Sequence, residues 1–404
     1  MGLMTLLLLA LCPSRVSATI GVSGNVNASQ LTDVRLRLDG NTQITVDKDW
    51  YLREILGGDY NLKIILKDGA QLMVDQDKSR TAAIDAKNLD VSGAGELYVT
   101  GLNMGVYLHG DLTVTGCYAS FVARHDRDGS NYWGTAVEGE INEFLINNAI
   151  VEISGALLGI GNSFKKLKII GDSTHLNAWA KYHCLQPNDF IMEGGEVNLT
   201  TSMGLPLNFF NGNITGGKLT ISKSGTDGGS AMHFWDKLVA SDCELNISSS
   251  REGIESPNGF ATFTNAKVNI NVGKSHRGIV LGGDLTIDGT SDFSVNASHE
   301  AILCGGTMSL KADRFYAKSR TDRVRAVWVD SLSIHMGEGV YEAYSDDMVP
   351  IFSNKKIKVD RPYTVNDIRD ISKLRIYTTL TDGWYGGWVF QYKYPGENVY
   401  YNIT

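Results

Sequence analysis

Gly278-Ile279-Val280-Leu281-Gly282-Gly283-Asp284-Leu285-Thr286-Ile287 is followed by Phe293-Ser294-Val295 and then by Ala301-Ile302. Short alternating runs, separated by Gly, Asp, Asn or Ser, return to a small residue followed by an apolar one. The same return marks Ala83-Ile84, Gly105-Val106, Ala136-Val137, Gly159-Ile160, Cys184-Leu185, Pro206-Leu207, Ala231-Met232, Gly253-Ile254, Ala326-Val327 and Pro350-Ile351. Successive marks lie about 22–25 residues apart, with one longer step of about 31 between Gly105 and Ala136. Short alternating runs divided by turn residues read as strands. A fixed period reads as stacked repeats. Three strands per period predict a parallel β-helix of about twelve coils, a rod of roughly 58 Å at about 4.8 Å per coil. No coil buries its apolar side alone; stacking gives all of them one core. A two-sheet sandwich leaves the fixed marker column unexplained.

The clear repeat covers residues 62–354. Residues 19–61 precede it and read as an N-terminal cap or irregular first coil. There Val34–Leu38 and Thr42–Val46 alternate like strands, and Asp49–Leu56 is read as a short capping helix. Residues 355–404 lose the repeat and gain aromatics such as Trp384, Trp388, Tyr400 and Tyr401, which predicts a strand-rich C-terminal cap. Leu3–Leu11 is apolar and Val16-Ser17-Ala18 has the small-x-small form of a cleavage site. Residues 1–18 are therefore expected to be a signal peptide, and the protein to be exported: extracellular, cell-surface or periplasmic. That apolar run is too short to span a bilayer, and no longer one follows.

The 404 residues include 44 Gly and 7 Pro, and 43% are apolar. That is too apolar for a disordered chain and lacks the every-third-residue glycine of collagen. The net charge of −8 argues against a general nucleic-acid binder, which needs a basic surface. Beyond the leader there are four cysteines: Cys117, Cys184, Cys243 and Cys304. The coil count separates the nearest pair by roughly 9–10 Å along the axis, outside the ~7 Å reach of a disulfide. Four buried free thiols are expected.

Alternation also assigns a direction to each side chain. If the apolar member of each mark faces in, the next residue faces out. That outward column runs Asp85, Tyr107, Glu138, Gly161, Gln186, Asn208, His233, Glu255, Val280, Leu303, Trp328, Phe352. Two residues further on stand His109, Glu140, Phe210 and Trp235. Aromatic faces stack on pyranose rings, and carboxylates, amides and imidazoles bind sugar hydroxyls. The candidate substrate-binding residues are Tyr107, Trp133, Glu138, Gln186, Asn208, Phe210, His233, Trp235 and Glu255. A solvated sheet face with ordinary cross-coil ladders is the competing reading.

Just before the marks, Arg251 and Glu252, His276 and Arg277, and His299 and Glu300 fall on three successive coils. They read either as a ladder of ion pairs or as a catalytic or anion-binding cluster. Were the protein an enzyme, Glu255, His233, Arg251 and His276 are the candidates for acid–base work. The long coil carries Asp126-Arg127-Asp128, a fragment of a Ca²⁺ loop. Without the rest of that pattern, no metal and no cofactor are expected.

The units Gly95-Glu96-Leu97-Tyr98-Val99-Thr100-Gly101, Gly216-Gly217-Lys218-Leu219-Thr220-Ile221 and Gly282–Ile287 resemble secreted β-helix proteins of the pectate-lyase-like superfamily. The nearest likeness is to carbohydrate-binding β-helix proteins of anaerobic, polysaccharide-degrading bacteria. The resemblance implies a right-handed helix and a polysaccharide partner. It does not extend to the clustered aspartates of the β-helix hydrolases or the calcium-aspartate set of the lyases. The expectation is a non-catalytic polysaccharide-binding protein. A polysaccharide lyase or glycoside hydrolase is the first alternative, and a structural surface protein or adhesin the second.

Overall fold

The computed structural model describes residues 18–27, 33–76, 82–124, 134–161, 164–273, 275–321, 323–335, 340–345, 351–360 and 374–376. The chain winds into a parallel β-solenoid of about 13 turns. The marker column is its spine. Ile84 pairs with Val106 and Val106 with Val137; Val137 pairs with Ile160. Leu185 bridges to Leu207, and Met232, Ile254, Ile279, Ile302, Val327 and Ile351 follow in unbroken register. Upstream the column continues through Ile55, Leu36 and Ile20.

Each coil contributes to three strand ladders. The marker ladder is followed by a second, typified by Leu89, Leu112 and Phe144 in register. The third is typified by Val197, Leu219, Leu245 and Val268. Inward residues alternate with outward ones on all three, so the core is a continuous apolar column. Aromatic rings stack along it: Phe190, Phe209 and Phe234 lie 5.9 and 5.8 Å apart, and Phe293 and Phe315 6.2 Å apart. All are buried. Phe209 and Phe234 are register partners, as are Phe293 and Phe315, so coil stacking repeats one inward position there; Phe190 is in register with Gly212 and meets Phe209 from the neighbouring ladder.

Asp49–Leu56 does not form a capping helix. Trp50–Gly57 is a strand. Trp50 and Leu52 alternate inward on the third ladder beside Leu72 and Val74; the alternation breaks at the corner, where Glu54 and Ile55 are both buried, and Ile55 joins the marker ladder beside Ile84. Parallel pairing gives that backbone hydrogen-bond partners on a neighbouring coil, which a helix would forgo. At the other end, parallel pairing reaches Ile351–Asp360 and Leu374–Ile376. Residues 1–17 of the expected signal peptide, Asp126, Asp128, Trp133 and the aromatics beyond residue 376 lie outside the described residues.

The four cysteines Cys117, Cys184, Cys243 and Cys304 are free and buried. Burial pushes the Cys184 thiol up to about 12 and the other three to about 11. They pack as small apolar groups.

Candidate functional site

The outward column lies on one flank. Asp85, Tyr107 and Glu138 are register neighbours, as are Asn208, His233 and Glu255. The Leu185–Leu207 bridge sets Gln186 beside Asn208. Between the two groups stands Gly161, and the Glu138 carboxylate reaches over it. Val280, Leu303, Trp328 and Phe352 continue the column.

Its early part is polar and aromatic. Tyr107 and His109 meet edge to face with ring centroids 5.0 Å apart. His109 Nε2 lies 3.9 Å from Asp85 Oδ1. Burial pushes the Asp85 carboxyl up; the charge of His109 opposes this and that of Asp59 adds to it.

The middle coils carry the most distinctive geometry. The strands Leu207–Thr215 and Met232–Ser241 each run through a corner, and their register shifts between Phe209 and Asn211. The bulge throws Phe210 and Trp235 outward, where they are 52% and 46% exposed. Their rings stack with centroids 6.1 Å apart and planes 27° apart. His233 meets Trp235 edge to face at 4.7 Å, and its Nδ1 lies 3.1 Å from Asn208 Oδ1. Burial lowers the His233 pKa, partly offset by Glu255 on the next coil. Because an amide oxygen only accepts, the contact with Asn208 Oδ1 assigns the donated proton to His233 Nδ1.

Phe260, 41% exposed, adds a third aromatic at the same corner, because it pairs with Lys237, two residues beyond Trp235. A fixed offset from the marker column misses it. Trp235 follows Met232 by three positions, whereas Pro257-Asn258-Gly259 lengthens the corner that leads to Phe260.

The four acid–base candidates separate into two pairs. His233 and Glu255 share the flank. Arg251 and His276 both turn to Glu252 at the preceding corner, at 3.5 and 3.1 Å. Along this corner Glu252, Arg277, Glu300 and Arg325 alternate in sign, each two residues before its marker. Arg277 Nε lies 2.7 Å from Glu300 Oε2, which His299 also contacts. The Arg325 guanidinium covers Phe352 at 3.9 Å. Burial raises the Glu252 carboxyl, but hydrogen bonds from its own backbone N–H and from His276, with the charges of His276 and Arg251, outweigh it and leave a lowered pKa. Glu300 is lowered in the same way, by His299 and Arg277 against burial. These carboxylates are committed to neighbours, which is the ion-pair-ladder reading of the cluster. Among the described residues, no group of three or more His, Cys, Asp or Glu could hold a metal ion.

No family model, curated protein or solved structure matches this chain.

Proposed function

We propose that this protein is an exported, non-catalytic polysaccharide-binding β-helix protein whose ligand lies on the Gln186–Glu255 flank and the aromatic corner beside it. The observation that carries this reading is the exposed Phe210–Trp235 stack next to the Asn208–His233–Glu255 ladder. Large aromatics on adjacent coils are unfavourable in water without a partner. A pyranose ring offers them a C–H face, and its hydroxyls meet the amide, imidazole and carboxylate on the neighbouring strand. Affinity electrophoresis in gels containing neutral or acidic polysaccharides tests it. Retardation of the native chain in at least one gel, weakened on Phe210→Ala with Trp235→Ala, is expected; unretarded migration in all of them overturns the proposal.

The neighbouring His233 and Glu255 favour a second reading, as a polysaccharide lyase or glycoside hydrolase. Under it, incubation with polysaccharide releases reducing ends or an absorbing unsaturated uronide, and Glu255→Gln abolishes that release. Under the leading reading neither product forms.

A further inference from the structure

The third ladder carries a separate outward array. On five successive coils, from Asn198-Leu199-Thr200 to Ser294-Val295-Asn296, two short polar residues face out around one buried aliphatic. Every one of these outward positions is Asn, Thr or Ser. None is charged and none is large. The pairing runs through all five coils without a register shift, unlike the bulged corner at Phe210.

Charge is kept to one side. The adjoining column, from Glu196 to Arg314, alternates in sign and is compensated within itself: Lys218 lies 3.8 Å from Glu196 and Lys267 3.6 Å from Glu244. The amides form short ladders, with Asn269 Nδ2 donating to Asn246 Oδ1 at 3.1 Å. Such a bond uses one of the two amide N–H groups of Asn269 and leaves the other facing out. At the N-terminal end of the outer rank stands Trp179, 47% exposed and in register with Thr200.

We propose that this sheet is a second glycan-binding face, for an extended uncharged polysaccharide lying along the solenoid axis, so that one rod bridges two glycan chains. The inference rests on the polysaccharide-binding reading above. Neutrality of the ligand follows from the array, which offers donors and acceptors in rows but no unbalanced charge to attract an ionic partner. Direction follows from spacing. The rungs repeat at about 4.8 Å, close to the length of one pyranose unit in an extended chain, so successive sugars meet the same pair of side chains on successive coils. Trp179 supplies a stacking surface at one end. Single contacts of this kind are weak, and their repetition on one rigid rod gives the avidity.

Beads coated with hydroxyethyl cellulose, xylan or galactomannan test it with the full chain. Retention on the beads measures binding, and bead–bead aggregation measures bridging. The native chain is expected to bind and to bridge on at least one coating. Trp179→Thr with Ser222→Lys and Ser248→Lys should keep binding within about threefold, through the Phe210–Trp235 corner, while bridging falls about tenfold or more. Phe210→Ala with Trp235→Ala should bind through the second face and not bridge. Trp179→Thr alone, a strand-compatible change, is read the same way should the triple variant lose its β-sheet circular dichroism. Undiminished bridging by the second-face variant, or a native chain that binds without bridging, overturns the second face alone. A native chain that binds none of these beads and is unretarded in every gel overturns the polysaccharide reading itself.

Discussion

The Glu138 carboxylate occupies the space that a side chain at Gly161 would fill: a β-carbon built on Gly161 falls 2.4 Å from both of its oxygens. The obstacle is the tip of a flexible side chain, so Gly161→Ala is expected to displace Glu138 and leave the backbone in place. Gly139, one residue after Glu138, is the contrasting case. It has φ of +121° and a built β-carbon there lies 1.9 Å from the Leu108 carbonyl oxygen. Gly139→Ala adds backbone strain of about 1–3 kcal/mol before the clash is counted. Thermal unfolding should show Gly161→Ala within a few tenths of a kcal/mol of the native chain (~0.5 at most) and Gly139→Ala clearly below it. Equal losses would mean that Glu138 is fixed by something other than the gap above it.

His233 makes a pH-dependent contribution with a definite sign. Burial lowers its pKa below the ordinary 6.5, so the unfolded chain binds a proton more readily than the folded one. The stability this group withholds on protonation is intact above about pH 6.5 and is lost as pH falls below it. Glu255 raises the His233 pKa against burial; Glu255→Gln should therefore lower it further. Titration of the imidazole by NMR measures both values. A His233 pKa that rises in the Glu255→Gln chain would contradict the register that sets the two residues side by side.

The marker column was legible because each coil announces it with a small residue and an apolar one at a near-constant spacing. That spacing follows from stacking itself, and it assigned the direction of Asp85 through Phe352 together. The aromatic corner was only partly legible. Phe210 and Trp235 stand three residues after their markers, and a simple alternating reading reaches them. Phe260 stands six after Ile254, beyond a corner that no strand periodicity describes. The helix expected at Asp49–Leu56 failed because five apolar residues in eight fit a helical face as well as a strand that turns a corner. At the Arg251–Glu300 corner the residue types were visible, but pairing depends on side-chain direction within a turn. Only the structure supplies it, as with Arg251 and His276 both turning to Glu252.

The stack of Phe190, Phe209 and Phe234 predicts a large local cost for truncation. Phe234 is fully buried and lies nearly parallel to Phe209, with 10° between the planes. Phe234→Ala removes the ring from a site where coils above and below hold the walls apart. A loss of about 3–5 kcal/mol is expected, read as a shift in the guanidinium unfolding midpoint. Phe234→Leu retains most of the volume and should cost less than half as much. A Phe234→Ala chain with an unchanged midpoint would show that the core closes around the gap, contrary to a rigid stack.

Glu300 is the centre of the charged corner, accepting from Arg277 and His299 with only 8% of its side chain exposed. Glu300→Gln keeps an acceptor of similar shape and removes the charge, leaving the partly buried Arg277 guanidinium without its carboxylate. A loss of about 1–3 kcal/mol at neutral pH is expected, at the lower end for a pair whose arginine is partly solvated. The folded-state pKa of Glu300 is lowered, so the carboxylate stabilises the fold above about pH 4.5. That contribution disappears as pH falls through the lowered value. The melting temperatures of native and Glu300→Gln chains should therefore differ at pH 7 and converge towards pH 3. A gap that stays constant across that range would assign the effect to packing, and the corner would then owe its order to shape instead of charge.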